Sequence, residues 1–121
     1  MSKIILAIDD DESMLAFYKV ALAEFGDVRI AINLKEAREQ LDEIDLIVLD
    51  FYLEQDLELF QDALPELMKT APVLLCSGID DVRVPSIGAS LGISGYWNKS
   101  SGLESLLSLV RSVLSPRRDG D

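Results

Sequence analysis

The chain has 121 residues, which suits one domain with one core, and 49% of them are hydrophobic, which excludes disorder over most of the length. A balance of 22 acids against 11 bases gives a net charge of −11, which repels phosphate backbones and anionic bilayers and argues against nucleic-acid and membrane partners. The absence of histidine removes histidine-based triads and imidazole zinc sites, and the single Cys76 cannot form an internal disulfide, as expected of a reducing, cytoplasmic setting.

No apolar stretch approaches the length of a membrane span. At the N-terminus one lysine precedes a short apolar run that ends in three aspartates, which is not the pattern of a signal peptide. Residues 4–8 are continuous, β-branched and apolar, as in a strand buried on both faces. Asp11 is placed to cap a helix over about 12–25, where Leu15, Tyr18, Leu22 and Phe25 form one apolar face and Gly26 provides the stop. Residues 28–31 make a short second strand. Asn33 then caps a helix through about Leu41, with Leu34, Ala37 and Leu41 inward.

Residues 46–49 form the third strand, running into Asp50. Residues 57–69 are helical in pattern with Phe60, Leu64 and Leu67 on one side. Pro65 removes a backbone donor there, which predicts a kink or two short pieces. Residues 73–76 are the fourth strand, and a helix is expected to start near Asp80 or Asp81 with Pro85 in or near its first turn. Residues 94–97 are the fifth strand. Leu103, Leu106, Leu107, Val110, Val113 and Leu114 give the last helix a regular apolar stripe, and residues 116–121 read as a flexible tail.

Five strand–helix alternations predict an α/β fold: a doubly wound, five-stranded parallel sheet with helices on both faces. With strand order 2-1-3-4-5, the switch point falls between the first and third strands. Asp9 and Asp10 follow the first strand and Asp50 follows the third. Ser77 follows the fourth and Lys99 the fifth. Parallel strands bring these points to one edge of the sheet. Carboxylates, a hydroxyl and an ammonium gathered in one crevice suit a divalent cation and a phosphoryl group.

Ile8-Asp9-Asp10-Asp11, Val48-Leu49-Asp50, Cys76-Ser77-Gly78 and Gly95-Tyr96-Trp97-Asn98-Lys99 occur in this order over residues 3 to about 114. In this the chain resembles the two-component response-regulator receiver domain of the chemotaxis-receiver type, which has a flavodoxin-like fold. The resemblance implies one receiver domain over residues 1–115. It makes Asp50 the phosphoacceptor, with Asp9, Asp10, Asp50 and the backbone carbonyl of Tyr52 around Mg2+. Lys99 would pair with Asp50 and then with a phosphoryl oxygen. Ser77 would donate a hydrogen bond to the same group. Ser77 and Tyr96 would form a switch that changes partner binding.

The implied partners are a sensor histidine kinase or a histidine phosphotransfer protein upstream and a protein target downstream. Such a protein catalyses its own phosphorylation and dephosphorylation only, and is not an enzyme acting on outside substrates. Two departures from the family pattern stand out. Leu53-Glu54-Gln55-Asp56 occupies the place of the usual Met-Pro and glycine, and Ser100 follows the lysine where proline is common.

Each group also has a plainer reading. The aspartates could only start a helix, Ser77 could only turn the chain, Lys99 could be a solvated lysine, and Tyr96 could be edge packing. Trp97 reads as packing or a partner contact, and Cys76 as a small core residue. A receiver-like interaction module working without phosphorylation is the main alternative function. A magnesium-dependent phosphatase is weaker, for want of a separate acid–base group. A flavodoxin-like cofactor binder is weaker still, because the first loop is acidic where a phosphate cradle needs amides.

Overall fold

The structure, a computed structural model, describes residues 3–51, 57–78 and 92–115, with only the backbone for 57–61. Five strands, β1 (Lys3–Ile8), β2 (Gly26–Ala31), β3 (Leu46–Asp50), β4 (Val73–Ser77) and β5 (Gly95–Asn98), form one parallel sheet in the order β2-β1-β3-β4-β5. The described helices are α1 (Glu12–Ala21), α2 (Leu34–Arg38), α3 (Leu57–Thr70) and α4 (Leu103–Leu114), with 3-10 turns at Ala23–Phe25 and Lys99–Ser101.

Every residue of β3 and β4 is buried, which is why those runs are apolar throughout rather than alternating. Alternation along the strands divides their side chains between two cores. Leu6, Ile8, Ile47, Leu49, Val73 and Leu75 pack with Leu34, Ala37, Leu64 and Leu67 from α2 and α3. On the other face, Ile5, Ala7, Leu46, Val48, Leu74 and Cys76 pack with Leu15 and Tyr18 of α1 and Leu106, Leu107 and Val110 of α4. The predicted fold and strand order are those of the structure.

The helices differ from expectation in their ends. The first is capped by Asp11, whose side chain accepts from the Ser13 amide at 2.9 Å, but it stops at Ala21 and continues as a 3-10 turn. Gly26 does not merely end it: it opens β2, where a Cβ would overlap the Lys3 carbonyl oxygen of the neighbouring strand. The second helix is capped by Asn33 as expected, yet ends at Arg38 rather than near Leu41. Arg29 explains this, because its guanidinium donates to the carbonyls of Gln40 (3.2 Å) and Asp42 (3.0 Å) and fixes a non-helical return toward β3.

α3 is one helix of 14 residues with Pro65 inside it, not two pieces. Pro65 lies on the exposed face of the helix. Ala63, Leu64 and Leu67 hold both sides of it against the sheet. The fifth strand runs one residue later than expected, from Gly95 to Asn98. The helix expected near Asp80 and Pro85, the segment 52–56 with Tyr52, and the tail 116–121 lie outside the described residues. Among the described residues, no helix is long and apolar enough to cross a membrane.

Candidate functional site

Strand register lines up the site. Ile8 pairs with Leu49, so Asp9, the next residue, stands level with Asp50. Asp50 pairs with Cys76, and Cys76 with Trp97. Asp9, Asp50, Cys76 and Trp97 therefore form a row across the C-terminal edge of the sheet. Alternation directs them to the face covered by α1 and α4. The next row holds Ser77 beside Asn98, and Lys99 follows with the parity of the first row.

Lys99 reaches back over this row. Its Nζ donates to Asp9 Oδ2 at 2.8 Å and to Asp50 Oδ1 at 3.3 Å. The closer contact is with Asp9, whereas the resemblance led us to expect Asp50 as first partner. Asp9 is almost fully buried, at 1% exposure, and its other oxygen accepts from the Asp11 amide at 2.9 Å. Asp50 is 6% exposed, while Asp10 is exposed. One oxygen from each of Asp9, Asp10 and Asp50 lies within 4.8 Å of the others.

Burial works against the charge on Lys99, but the hydrogen bond to Asp9 and the negative charges of Asp50 and Asp9 outweigh it. Its pKa is raised above the usual lysine value. Asp11 is held below the usual carboxylate range by hydrogen bonds from the hydroxyl and amide of Ser13, consistent with its role as a cap rather than as a member of the cluster.

Three carboxylates facing one ammonium leave two negative charges without a local counter-charge from these four groups. That is the charge of one divalent cation, and carboxylate oxygens are the ligands a hard cation takes. The donor set therefore fits a magnesium- or calcium-type ion held by Asp9, Asp10 and Asp50. Ser77 ends β4 one residue beyond the partner of Asp50 and is fully buried. Gly78 borders the Lys99 stem, with a Cβ there lying 3.6 Å from Lys99 Cδ. Tyr96 is partly buried against the α2–α3 core.

Some neighbours of the site were not anticipated. Tyr18, on α1, is 1% exposed, and its hydroxyl makes no hydrogen bond among the described residues. The Cys76 thiol beside it is a weak partner at best. Burial raises both pKa values, with the thiol pushed up to about 12. Trp97 is packing, as expected, but its indole N–H also donates to the Gly102 carbonyl at 3.3 Å. Asn98 Oδ1 accepts from the amide of Ser100 at 2.9 Å and from its hydroxyl at 2.7 Å. The Asn-x-Ser spacing was the available signal for this last feature, since asparagine side chains bond to the backbone two residues on.

No protein-family model matches the sequence, and no curated protein matches it. Solved structures do. A response regulator from Thermotoga maritima superposes with a TM-score of 0.81 at 24% identity, covering 96% of this chain and 100% of its own. The non-phosphorylated HemR receiver domain of Leptospira biflexa gives a TM-score of 0.81 at 24% identity, covering 97% and 98%. A response regulator protein from Burkholderia pseudomallei, crystallised with a phosphorylated aspartic acid, a calcium ion and citrate, gives 0.75 at 25% identity, covering 94% and 69%. The Asp9, Asp10 and Asp50 cluster resembles a receiver-domain metal site. The chain thus has the flavodoxin-like fold of response-regulator receiver domains, with its acidic cluster at the switch point of the sheet.

Proposed function

We propose that the chain is a phosphoacceptor receiver of a two-component phosphorelay, with Asp50 as the acceptor. The observation that carries this reading is the Lys99 ammonium bridging the carboxylates of Asp9 and Asp50, with Asp10 at ligand distance beside them. In the transfer, an Asp50 carboxylate oxygen attacks the phosphorus of a partner's phosphohistidine. The new O–P bond forms as the P–N bond breaks, and the released imidazole takes up a proton. The chain has no histidine, so the donor is another protein, a sensor histidine kinase or a histidine phosphotransfer protein. Hydrolysis reverses the state: water attacks phosphorus, phosphate leaves, and the Asp50 carboxylate is restored.

Asp9, Asp10 and Asp50, with the Tyr52 carbonyl by resemblance, would hold Mg2+. When bound, it offsets the repulsion between an anionic acceptor and an anionic phosphoryl group. Lys99 follows the charge, exchanging part of its contact with Asp50 for a phosphoryl oxygen. Ser77 donates its hydroxyl hydrogen to the same group. Tyr96, partly buried between the core and the surface, would carry the change outward to a protein target. The Burkholderia relative, with its phosphorylated aspartic acid and calcium, supports this assignment by analogy of fold. The setting is cytoplasmic, and the chain acts on no outside substrate.

The test is incubation with magnesium and acetyl phosphate followed by intact mass measurement. Wild type is expected to gain one phosphoryl group, and Asp50→Asn or omission of magnesium to abolish the gain. A wild-type chain that stays unmodified while a known receiver reacts would overturn the function. An adduct persisting in Asp50→Asn would move the acceptor elsewhere.

A further inference from the structure

The Lys99 head is held by two carboxylates, but its backbone stands on weak footing. It begins a single 3-10 turn, Lys99–Ser101, a geometry with poorer hydrogen bonds than an α-helix. Gly102 follows at φ 91° and opens α4 without a side-chain cap. Among the described residues, two side chains secure this segment. Asn98 holds its start, accepting from both the amide and the hydroxyl of Ser100. Trp97 holds its end, donating from the indole to the Gly102 carbonyl.

Trp97 is itself fixed. It is 2% exposed and stacks on Phe17 at 6.3 Å between centroids with planes 7° apart. It also meets Tyr18 edge-on at 6.4 Å. It stands in the same sheet row as Asp50. The indole therefore ties the segment carrying Lys99 to the sheet row carrying the acceptor and to α1. A flexible four-carbon stem reaches the same two oxygens reproducibly only if its Cα does not wander.

We infer that Trp97 and Asn98 are positioning residues for Lys99, clamping the turn from both ends so that its ammonium stays on Asp9 and Asp50. The functional weight of this clamp rests on the proposed role of Lys99; the placement itself does not. The experiment compares wild type with Trp97→Phe, Asn98→Ala, Asn98→Ser and Tyr18→Phe. One readout is acylation of Lys99 by an amine reagent under native conditions, scored by peptide mass spectrometry against exposed Lys19 in the same molecule. The other is the rate of phosphoryl uptake from acetyl phosphate with magnesium.

Trp97→Phe and Asn98→Ala are expected to raise Lys99 acylation relative to Lys19 by roughly three- to tenfold, the range for losing one hydrogen bond, and to slow uptake in parallel. Asn98→Ser, which keeps an acceptor, restores both readouts. Tyr18→Phe, which keeps the ring beside Trp97, changes neither, whereas Asn98→Ala, outside the aromatic group, changes both, a pattern that a purely packing role for the aromatic residues would not reproduce. Asn98 is only half-buried, so its variants report even if Trp97→Phe folds poorly. Lys99 acylation at the wild-type ratio in Asn98→Ala and in folded Trp97→Phe would overturn the inference. No phosphoryl uptake in wild type would overturn the function while leaving acylation to decide the placement.

Discussion

The carboxylate pair at Asp9 and Asp10 shows why neighbouring identical residues do different work. Asp9 is buried, level with Asp50, and saturated by the Lys99 ammonium and the Asp11 amide; Asp10 is exposed at the rim. Lys99 answers the charge on Asp9 and Asp50, so Asp10 adds repulsion without a comparable ion pair among the described residues. Asp10→Asn is therefore expected to stabilise the metal-free protein by about 0.5–1 kcal/mol, a modest figure because the group is solvent-screened. On the proposed magnesium site, it should also shrink any rise in melting temperature on adding magnesium. Urea midpoints and thermal melts with and without the ion check both signs. Tyr18→Phe removes a buried hydroxyl that has no hydrogen bond among the described residues, and should raise the urea midpoint by about 1 kcal/mol of stability.

At the scale of elements, the helix ends carry information the hydrophobic pattern lacked. Asn33 accepts from the Glu36 amide at 2.8 Å, while the Glu36 side chain reaches back to the Ile32 amide at 3.1 Å. The short α2 thus depends on its cap, and Asn33→Ala should cost about 1 kcal/mol, read as a lower urea midpoint. Pro65 is the converse case. It sits inside α3 on the exposed side, so Pro65→Ala regains a helical hydrogen bond and relieves the ring's clash at little steric risk. The expected gain is about 1–2 kcal/mol, because a freer unfolded chain offsets part of it. A lower melting temperature in Pro65→Ala would show that the proline is accommodated without strain.

At the scale of the whole molecule, three interior or half-buried groups among the described residues hold their protons more tightly when folded. Cys76 is raised from 9.0 to about 12 by burial. Tyr18 is raised from 10.0 by burial, and Lys99 from 10.5 by Asp9 and Asp50 acting against burial. In each case the unfolded chain loses the proton first. Stability is therefore complete below about pH 9 and falls as pH rises toward the folded-state values. For fully buried Cys76 the slope approaches about 1.4 kcal/mol per pH unit. Urea midpoints measured from pH 7 to pH 11 should fall above pH 9. In Cys76→Ala the onset should move toward the ordinary tyrosine value of 10.0.

The strand runs, the alternation with helices and the acid, hydroxyl and lysine positions were legible in the chain because period and composition are local properties. A run such as Leu46–Asp50 is apolar at every position until its last residue because both faces are covered, and that is visible without coordinates. Asp11 and Asn33 were legible as caps for the same reason: a cap acts within three residues. What the tertiary structure alone decided were contacts between residues far apart in sequence. Arg29 of β2 met the carbonyls of Gln40 and Asp42 beyond the end of α2, and Lys99 lay closer to Asp9 than to Asp50. Local pattern determines which faces must be buried, whereas only packing in three dimensions determines which polar atom meets which, since those pairings depend on angstrom-scale distances between separate elements.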